Sequence, residues 1–218
     1  RPPRRRRPRP RRRRRAGEES GSAVRLGVFG GTFDPPHLGH LAAASDAAQA
    51  LALDRVLWIP AAEHPFKRGS VAAPPELRLE MVRAAVAGDG RFEACDLELR
   101  RSGPSYTVTT LRELQARHPG AELFFLTGAD NLRELAQWRE PDEVVRLARL
   151  VVVSRQGEGI PEGLPYPATA VPVTRLDISS TELRRRVAAG ETIRYLVPEP
   201  VREIIERTGL YREREEKS

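Results

Sequence analysis

The sequence lacks the residues on which several common protein classes depend. Cys95 is the only cysteine, which excludes an internal disulfide and any metal site built from several cysteines. No apolar run approaches the ~18 residues that a membrane-spanning helix needs, and no apolar signal-peptide core follows the N-terminal arginines. We therefore expect a cytoplasmic protein, in a reducing compartment, with no membrane partner.

Acidic residues are absent from residues 1–15, which contain 11 arginines and otherwise only proline. Such a composition can neither bury apolar surface nor sustain a helix through its prolines, so we expect residues 1–22 to form a disordered tail and linker. Subtracting these 11 charges from the formal charge of +7 leaves −4 for the rest of the chain. The tail is therefore either an arm that binds RNA or acidic partners, or an extension with no part in the chemistry.

Short apolar segments alternate with helical patterns along the rest of the chain, which predicts one α/β domain over residues 23–212 and a charged end at residues 213–218. The predicted strands cover residues 24–29, 55–59, 92–99, 123–127, 150–154 and 170–173. The predicted helices cover residues 38–53, 75–87, 107–117, 131–135, 141–148, 179–189 and 199–207. This alternation predicts a doubly wound parallel sheet with right-handed crossovers.

The first predicted strand runs into a glycine-containing loop, Gly30-Gly31-Thr32-Phe33-Asp34-Pro35-Pro36-His37. In parallel sheets, ligands bind beyond the carboxyl ends of the strands, and glycines let backbone amides approach phosphate oxygens. The loop has neither the GK[ST] ending of a Walker loop nor the G-x-G-x-x-G spacing of a dinucleotide-binding turn. It therefore predicts a phosphate site of another kind.

Two histidines, His37 and His40, stand three residues apart in the first turn of the next predicted helix, and so lie on one face. Gly39 between them leaves the approach to the backbone open. Imidazoles in this arrangement can donate hydrogen bonds to a polyphosphate, but they could also be surface histidines or zinc ligands. Zinc would need a further ligand, and neither His64 nor His118, the only other histidines, has a placement that clearly supplies it.

The segment GGTFDPPHLGH resembles the signature of the nucleotidyltransferase superfamily that carries an HxGH motif, and within it the chain is most similar to the bacterial nicotinate-nucleotide adenylyltransferases. The likeness extends from about Leu26 to Tyr211. Further stretches carry it in order: Pro104-Ser105-Tyr106-Thr107, Gly128-Ala129-Asp130, Trp138, and Ile178-Ser179-Ser180-Thr181 leading to Arg184. The resemblance implies a Rossmann-like nucleotidyltransferase sheet that joins ATP to nicotinate mononucleotide, giving nicotinate adenine dinucleotide and pyrophosphate.

The resemblance also assigns roles to individual residues. His37 and His40 are the expected catalytic residues. The expected ATP-binding residues are Gly30, Gly31, Thr32, Phe33, Ile178, Ser179, Ser180, Thr181 and Arg184. The expected mononucleotide-binding residues are Asp34, Lys67, Ser105, Tyr106, Thr107, Asp130 and Trp138. Mg²⁺ is the expected cofactor, bound mainly through ATP and water, and the sequence leaves its protein ligands open.

Physical chemistry supports several of these roles but leaves alternatives open. Ser179 and Glu182 have the spacing of a capping box, which indicates either an anion-binding helix start or an ordinary helix cap. Trp138 or Tyr106 can stack on an electron-poor pyridine ring, although either could equally be a core aromatic. Asp130 can accept hydrogen bonds from ribose hydroxyls or simply cap a loop.

One segment departs from the family pattern. The family usually shows Pro-His-Lys after its second strand, whereas this chain has His64-Pro65-Phe66-Lys67-Arg68. Lys67 remains a candidate phosphate contact, while the role of His64 is open. Two other functions also stay open: adenylyl transfer to nicotinamide mononucleotide or phosphopantetheine, and nucleic-acid binding through residues 1–15. The sequence leaves the oligomeric state open, a homo-oligomer included.

Overall fold

The computed structural model describes residues 23–62, 71–155, 160 and 163–212. The predicted tail and linker at residues 1–22, the charged end at residues 213–218, and the segment 63–70 with His64 and Lys67 lie outside the described residues. Within the described part of the chain, no helix is both long enough and apolar enough to cross a membrane.

Parallel strands form one sheet in the described residues: β1 (Arg25–Gly31), β2 (Arg55–Pro60), β3 (Phe92–Ala94), β4 (Glu122–Thr127), β5 (Ala148–Arg155) and β6 (Ala168–Val173). Their order is β3-β2-β1-β4-β5-β6, which confirms the predicted doubly wound, Rossmann-like fold. β1 pairs with β2 on one side and with β4 on the other. The strand order therefore reverses between β1 and β4, and a crevice opens at their carboxyl ends.

The described helices are α1 (Leu38–Ala50), α2 (Pro75–Val86), α3 (Thr107–Arg117), α4 (Ala129–Arg133), α5 (Pro141–Leu147), α6 (Ser180–Ala188) and α7 (Glu199–Thr208). A short 3-10 turn, Leu135–Gln137, follows α4. The ends of α3 match the prediction, and the other helices differ from theirs by three residues or fewer. The largest difference is at α1, which ends early because Ala52 adopts a φ of 47°, in the left-handed region.

The prediction of a strand over residues 92–99 is wrong beyond Ala94. β3 lies at one end of the sheet order, beside β2 alone, so only one of its edges is held by strand pairing. The N–H of Cys95 still donates to the carbonyl of Trp58 at 2.8 Å, after which the chain turns. The turn buries Glu98, whose carboxylate accepts a 2.5 Å hydrogen bond from the Thr110 hydroxyl on α3.

Side chains alternate between the two faces of the sheet, as the period of a β-strand requires. On one face Leu26 and Val28 of β1 pack in a cluster with Leu111 of α3. On the other face Phe29 packs in a second cluster with Ala44 of α1, whose small side chain lets the helix lie close to the sheet. Both faces are therefore covered, which is why β1 and β4 are almost wholly apolar.

A third apolar cluster joins α2, α6 and α7 beside the sheet. Its members include Met81 of α2, Leu183 of α6 and Val201 of α7, each at most 1% exposed. The cluster holds α6 with its first turn against the loop that follows β1. The C-terminal part of the chain thereby reaches the crevice that opens beside the first strand.

Candidate active site

Two cavities open at the carboxyl ends of β1 and β4, with volumes of about 630 Å³ and about 640 Å³. We call them the first and the second cavity. They share one wall, formed by Gly30, Gly31, Thr32, Thr127 and Asn131. Molecules bound in the two cavities would therefore meet at the end of β1, where a group could pass from one to the other.

The first cavity is shaped by the tight turn after β1. Phe33 adopts a φ of 50°, in the left-handed region, and its ring folds back under Gly31. A Cβ atom on Gly31 would lie 2.9 Å from the Cζ atom of that ring, closer than real Cβ contacts allow. Glycine is therefore required at position 31 for the turn to close, and the backbone of the turn stays open to the cavity.

The imidazoles of His37 and His40 lie together in the wall of the first cavity. Their ring centroids are 3.6 Å apart with an angle of 26° between the planes, so the rings are stacked. The backbone N–H of His37 donates to Nδ1 of His40 at 3.2 Å. A neutral His40 ring must therefore carry its proton on Nε2, which leaves that N–H as a hydrogen-bond donor.

Burial keeps both imidazoles uncharged. Desolvation lowers the pKa of His37 to about 4. The pKa of His40 is lowered well below its ordinary value, first by desolvation and then by the proximity of His37. Nδ1 of His37 and the hydroxyl of Thr32 are buried without a hydrogen-bond partner among the described residues. Unsatisfied buried polar atoms are rare, and both of these belong to residues that line the first cavity.

Gly39 fixes the position of the His37 ring. A Cβ atom at residue 39 would lie 3.1 Å from Nδ1 and 3.2 Å from Cε1 of that ring. The sequence prediction was that Gly39 leaves the backbone open to a ligand. In the structure Gly39 lines the first cavity, and its absent side chain also leaves room for the His37 ring.

The first turn of α6 forms the opposite wall of the first cavity. The Ser179 hydroxyl caps the helix by accepting a hydrogen bond from the N–H of Glu182 at 3.2 Å. The Glu182 carboxylate pairs with arginines of its own helix instead of returning to the cap. Half of the predicted capping box therefore forms. The Ser180 hydroxyl donates to the carbonyl of Pro35 at 2.9 Å. Arg184 donates to the carbonyl of Asp34 at 2.8 Å. All the predicted ATP-binding residues except Ser179 line this cavity, as do both histidines.

The carboxylate of Asp34 is enclosed by the protein itself and is only 2% exposed. It accepts hydrogen bonds from the N–H groups of Ala72 and Ala73 at 2.8 and 3.1 Å and from the hydroxyl of Tyr211 at 2.7 Å. Arg184 lies 3.7 Å from the same carboxylate. Asp34 therefore joins four distant parts of the chain beneath the turn, and the structure places it in the wall of the first cavity rather than the second.

Arg78 of α2 is a second buried charge beneath this turn. It is 1% exposed and donates to the carbonyls of Thr32, Ala62 and Ala73 at 2.8, 3.3 and 3.2 Å. Burial lowers its pKa, and the charge of Asp34 opposes that shift. The sequence analysis missed Arg78, because an arginine in an amphipathic helix is ordinarily on the solvated face.

The second cavity is lined by aromatic and charged side chains. The ring of Trp138 meets Phe125 edge to face at 5.8 Å, and the guanidinium of Arg139 lies 5.0 Å from the ring centre of Tyr106. Ser105, at the same wall, accepts from the N–H of Ala62 at 2.9 Å. The predicted residues Ser105, Tyr106, Thr107 and Trp138 all line this cavity. A flat ring fits its chemistry.

Glu98 is a buried acid in the second cavity that the sequence analysis also missed. Desolvation raises its pKa, while hydrogen bonds from Thr110 and Ser105 and the charge of Arg101 oppose the shift. Arg101 donates to the Thr110 hydroxyl at 2.6 Å, so the acid is held within a fixed polar network. No motif marks this residue, because its burial depends on the turn that ends β3.

One predicted mononucleotide residue, Asp130, lies outside both cavities. Its side chain is 94% exposed and pairs with Arg133 at 2.6 Å. Its neighbour Asn131 is in the shared wall instead, donating to the Thr127 hydroxyl at 3.1 Å. Lys67 lies outside the described residues. In the part of the chain that the structure describes, no group of three or more His, Cys, Asp or Glu side chains could hold a metal ion.

Comparison with known proteins yields relatives over most of the chain. A family model described as cytidylyltransferase-like matches residues 28–186. Proteins called probable nicotinate-nucleotide adenylyltransferases, from Thermus thermophilus and a Roseiflexus species, are 50% and 48% identical over 189 and 200 residues. These alignments cover 87% and 88% of this chain and 100% of each relative.

A solved structure has the same fold. The nicotinic acid mononucleotide adenylyltransferase of Plasmodium falciparum, complexed with NaAD, matches with a TM-score of 0.72 and 19% identity. The match covers 86% of this chain and 97% of that one. At this identity the likeness establishes the fold alone.

Proposed function

Because the chain belongs to the nicotinate-nucleotide adenylyltransferase family, within the cytidylyltransferase-like proteins, we propose that it transfers AMP from ATP to nicotinate mononucleotide. The products are nicotinate adenine dinucleotide and pyrophosphate. The observation that carries the proposal is the shared wall of two cavities at the end of β1. ATP occupies the first cavity and the mononucleotide the second, so the α-phosphate meets the acceptor phosphate at Gly30, Gly31 and Thr32.

The reaction needs alignment more than proton transfer. An oxygen of the acceptor phosphate attacks the α-phosphorus of ATP, and the bond to pyrophosphate breaks on the opposite side. A phosphate monoester has a second pKa of about 6, so the attacking oxygen is already ionised at neutral pH and no general base is required. The site therefore acts by holding the two phosphates in line and by stabilising the charge that develops on the leaving group.

His37 and His40 donate hydrogen bonds to the triphosphate. Nε2–H of His40 is fixed as a donor by the bond that its Nδ1 accepts from the His37 backbone. The negative charge of bound phosphates would favour protonated imidazoles, which opposes the desolvation that lowers the pKa of both histidines in the free site. The turn at Gly30, Gly31, Thr32 and Phe33 supplies backbone contacts, and Ile178, Ser180, Thr181 and Arg184 complete the ATP site from α6.

In the second cavity, Trp138 and Tyr106 hold the pyridine ring by stacking, and Ser105 and Thr107 contact the nucleotide from the start of α3. Lys67 remains a proposed phosphate contact. For the ribose hydroxyls we favour Asn131, in the shared wall, over the exposed Asp130.

Mg²⁺ enters this scheme with ATP. The carboxylate closest to the first cavity, Asp34, already accepts three hydrogen bonds, so the described residues fit a cation that the phosphates and water hold rather than one ligated by the protein. Bound to the polyphosphate, Mg²⁺ neutralises part of its charge. The single cysteine leads us to propose a reducing, cytoplasmic location.

A turnover assay tests the function. The full-length chain is mixed with ATP, Mg²⁺ and one acceptor at a time: nicotinate mononucleotide, nicotinamide mononucleotide or phosphopantetheine. We expect pyrophosphate release to be fastest with nicotinate mononucleotide. A chain that starts at Ala16 retains every described residue and should turn over equally fast. RNA binding by the full-length chain alone, without turnover by either, would favour the nucleic-acid alternative.

A further inference from the structure

In the described part of its wall, the second cavity has more acidic than basic side chains. Two acids, Glu98 and Glu134, line it, and Arg139 is the single cation in the described part of the lining. Without Arg139 the charged side chains in the described part of this lining would all be carboxylates. A ligand that carries its own carboxylate would then be repelled, because like charges in a partly desolvated space interact strongly.

Arg139 lies in the wall of the second cavity, beside its aromatic residues. Its guanidinium lies 5.0 Å from the centre of the Tyr106 ring, and Arg139 directly follows Trp138 in the chain. Both aromatic residues line the second cavity. A ring bound beside these aromatic residues would therefore lie next to the positive charge of Arg139.

Among the described residues, the charge of Arg139 is only weakly paired. Nε of Arg139 lies 3.6 Å from the carboxylate of Glu140, which Arg112 already holds at 2.5 Å. The Arg139 side chain is 59% exposed, so water screens part of this pairing. The guanidinium thus keeps donors for a ligand, and a planar guanidinium is well matched to a carboxylate.

We propose that Arg139 determines the choice of acceptor by favouring a ring that bears a carboxylate over one that bears a carboxamide. This inference rests on the proposed function, and it assigns to Arg139 the selection of the acceptor. The two rings have nearly the same shape, so stacking on Trp138 or Tyr106 does not distinguish them. The charge of the ring substituent distinguishes them, and Arg139 supplies the attractive charge in the described part of this wall.

The test compares acceptor preference in matched variants. At saturating ATP, kcat/KM is measured with nicotinate mononucleotide and with nicotinamide mononucleotide. For Arg139→Gln we expect the acid-to-amide ratio to fall about tenfold, equivalent to about 1.4 kcal/mol, mainly through a higher KM for the acid. Arg139→Lys keeps the charge and should lie between this variant and the unchanged protein. Arg146→Gln, which removes an exposed arginine that pairs with Glu143 on α5, is the control and should leave the ratio unchanged.

Two results would overturn the inference: an unchanged ratio in Arg139→Gln, or equal losses of kcat/KM with both acceptors, which would indicate a structural role. Raising the ionic strength should lower the ratio of the unchanged protein more than that of Arg139→Gln, because salt screens the charge that the variant lacks. If the unchanged protein does not turn over nicotinate mononucleotide at all, the proposed function fails instead. The two failures are therefore distinguishable.

Discussion

The first and second cavities differ in what their walls are made of. The first presents backbone groups, hydroxyls, two uncharged imidazoles and the guanidinium of Arg184, gathered mainly from the turn after β1 and from α6. The second presents aromatic rings and ionisable side chains, gathered between Glu98 and Arg139. The first wall suits a negatively charged triphosphate. The second suits an aromatic ring whose substituents have to be recognised. The first cavity therefore serves the transfer reaction, and the second determines which acceptor is used.

The largest expected effect tests whether the first cavity serves every acceptor. His40→Ala removes a donor to the charge that develops in the transition state, so kcat should fall about 100- to 1000-fold, by the same factor for each acceptor. His40→Phe is the matched variant, because a phenyl ring preserves the contacts with Phe29 and Phe33 but has no donor. Steady-state kinetics measures both. Near-normal turnover in His40→Phe would rule out the proposed role.

The stability of these variants should also differ. Because the His40 ring lies among the rings of Phe29, Phe33 and His37, we expect the alanine variant to unfold more easily than His40→Phe. Denaturant unfolding of both variants measures the difference.

The next effect should be confined to the second cavity. Trp138→Ala removes a stacking surface that is worth about 1–3 kcal/mol for a base-sized ring, so KM for the mononucleotide should rise about 5- to 150-fold. KM for ATP should change less than about twofold, since Trp138 does not line the first cavity. Trp138→Phe keeps a flat partner and should recover most of the affinity. A similar rise in both KM values would mean that the two cavities do not act separately.

A smaller change should follow from displacing a histidine by a few tenths of an ångström. In Gly39→Ala the new Cβ atom presses on the His37 ring at about 3.1 Å, so the ring must shift. We expect kcat/KM to fall about tenfold for all acceptors, because transfer rates depend on alignment. Gly88→Ala is the control, since no atom lies within 4 Å of a Cβ atom there. Equal rates in the two variants would contradict the need for close packing at position 39.

The pH dependence of stability should reflect the first cavity. The pKa of His37 is lowered from 6.5 to about 4 in the folded protein. Between these pH values the imidazole is therefore protonated in the unfolded chain and neutral in the folded protein. The free energy of unfolding should therefore fall as pH drops from 6.5 towards 4, by about 3 kcal/mol from this group. Urea unfolding between pH 5 and 7, above the range of most carboxylates, measures the slope. His37→Asn should flatten it.

The two cavities were not equally predictable from the sequence. The turn and both histidines were predicted because glycines and imidazoles in contiguous chain carry the chemistry. The start of α6 was predicted from its cap, Ser179, and from resemblance. α3 was predicted at both ends because apolar residues recur at helical spacing between Thr107 and Arg117.

What the sequence did not predict depends on contacts between distant segments. Glu98 becomes part of the second cavity only because β3 ends at Ala94, and an edge strand has no second neighbour to prolong it. Arg78 is buried because three carbonyls from separate segments converge on it. Asp34 and Asp130 were both predicted as ligands of the mononucleotide, but local sequence does not reveal that one carboxylate is enclosed and the other faces solvent.

The enclosure of Asp34 has a consequence for biosynthesis. Its carboxylate is bonded to backbone groups at Ala72 and Ala73 and to the hydroxyl of Tyr211, 177 positions later in the chain. A nascent polypeptide can form the β1 turn soon after it leaves the ribosome, but the last donor to Asp34 arrives only when Tyr211 has emerged. The hydrogen bonds that hold the nucleotide site are therefore complete only when most of the domain has been translated.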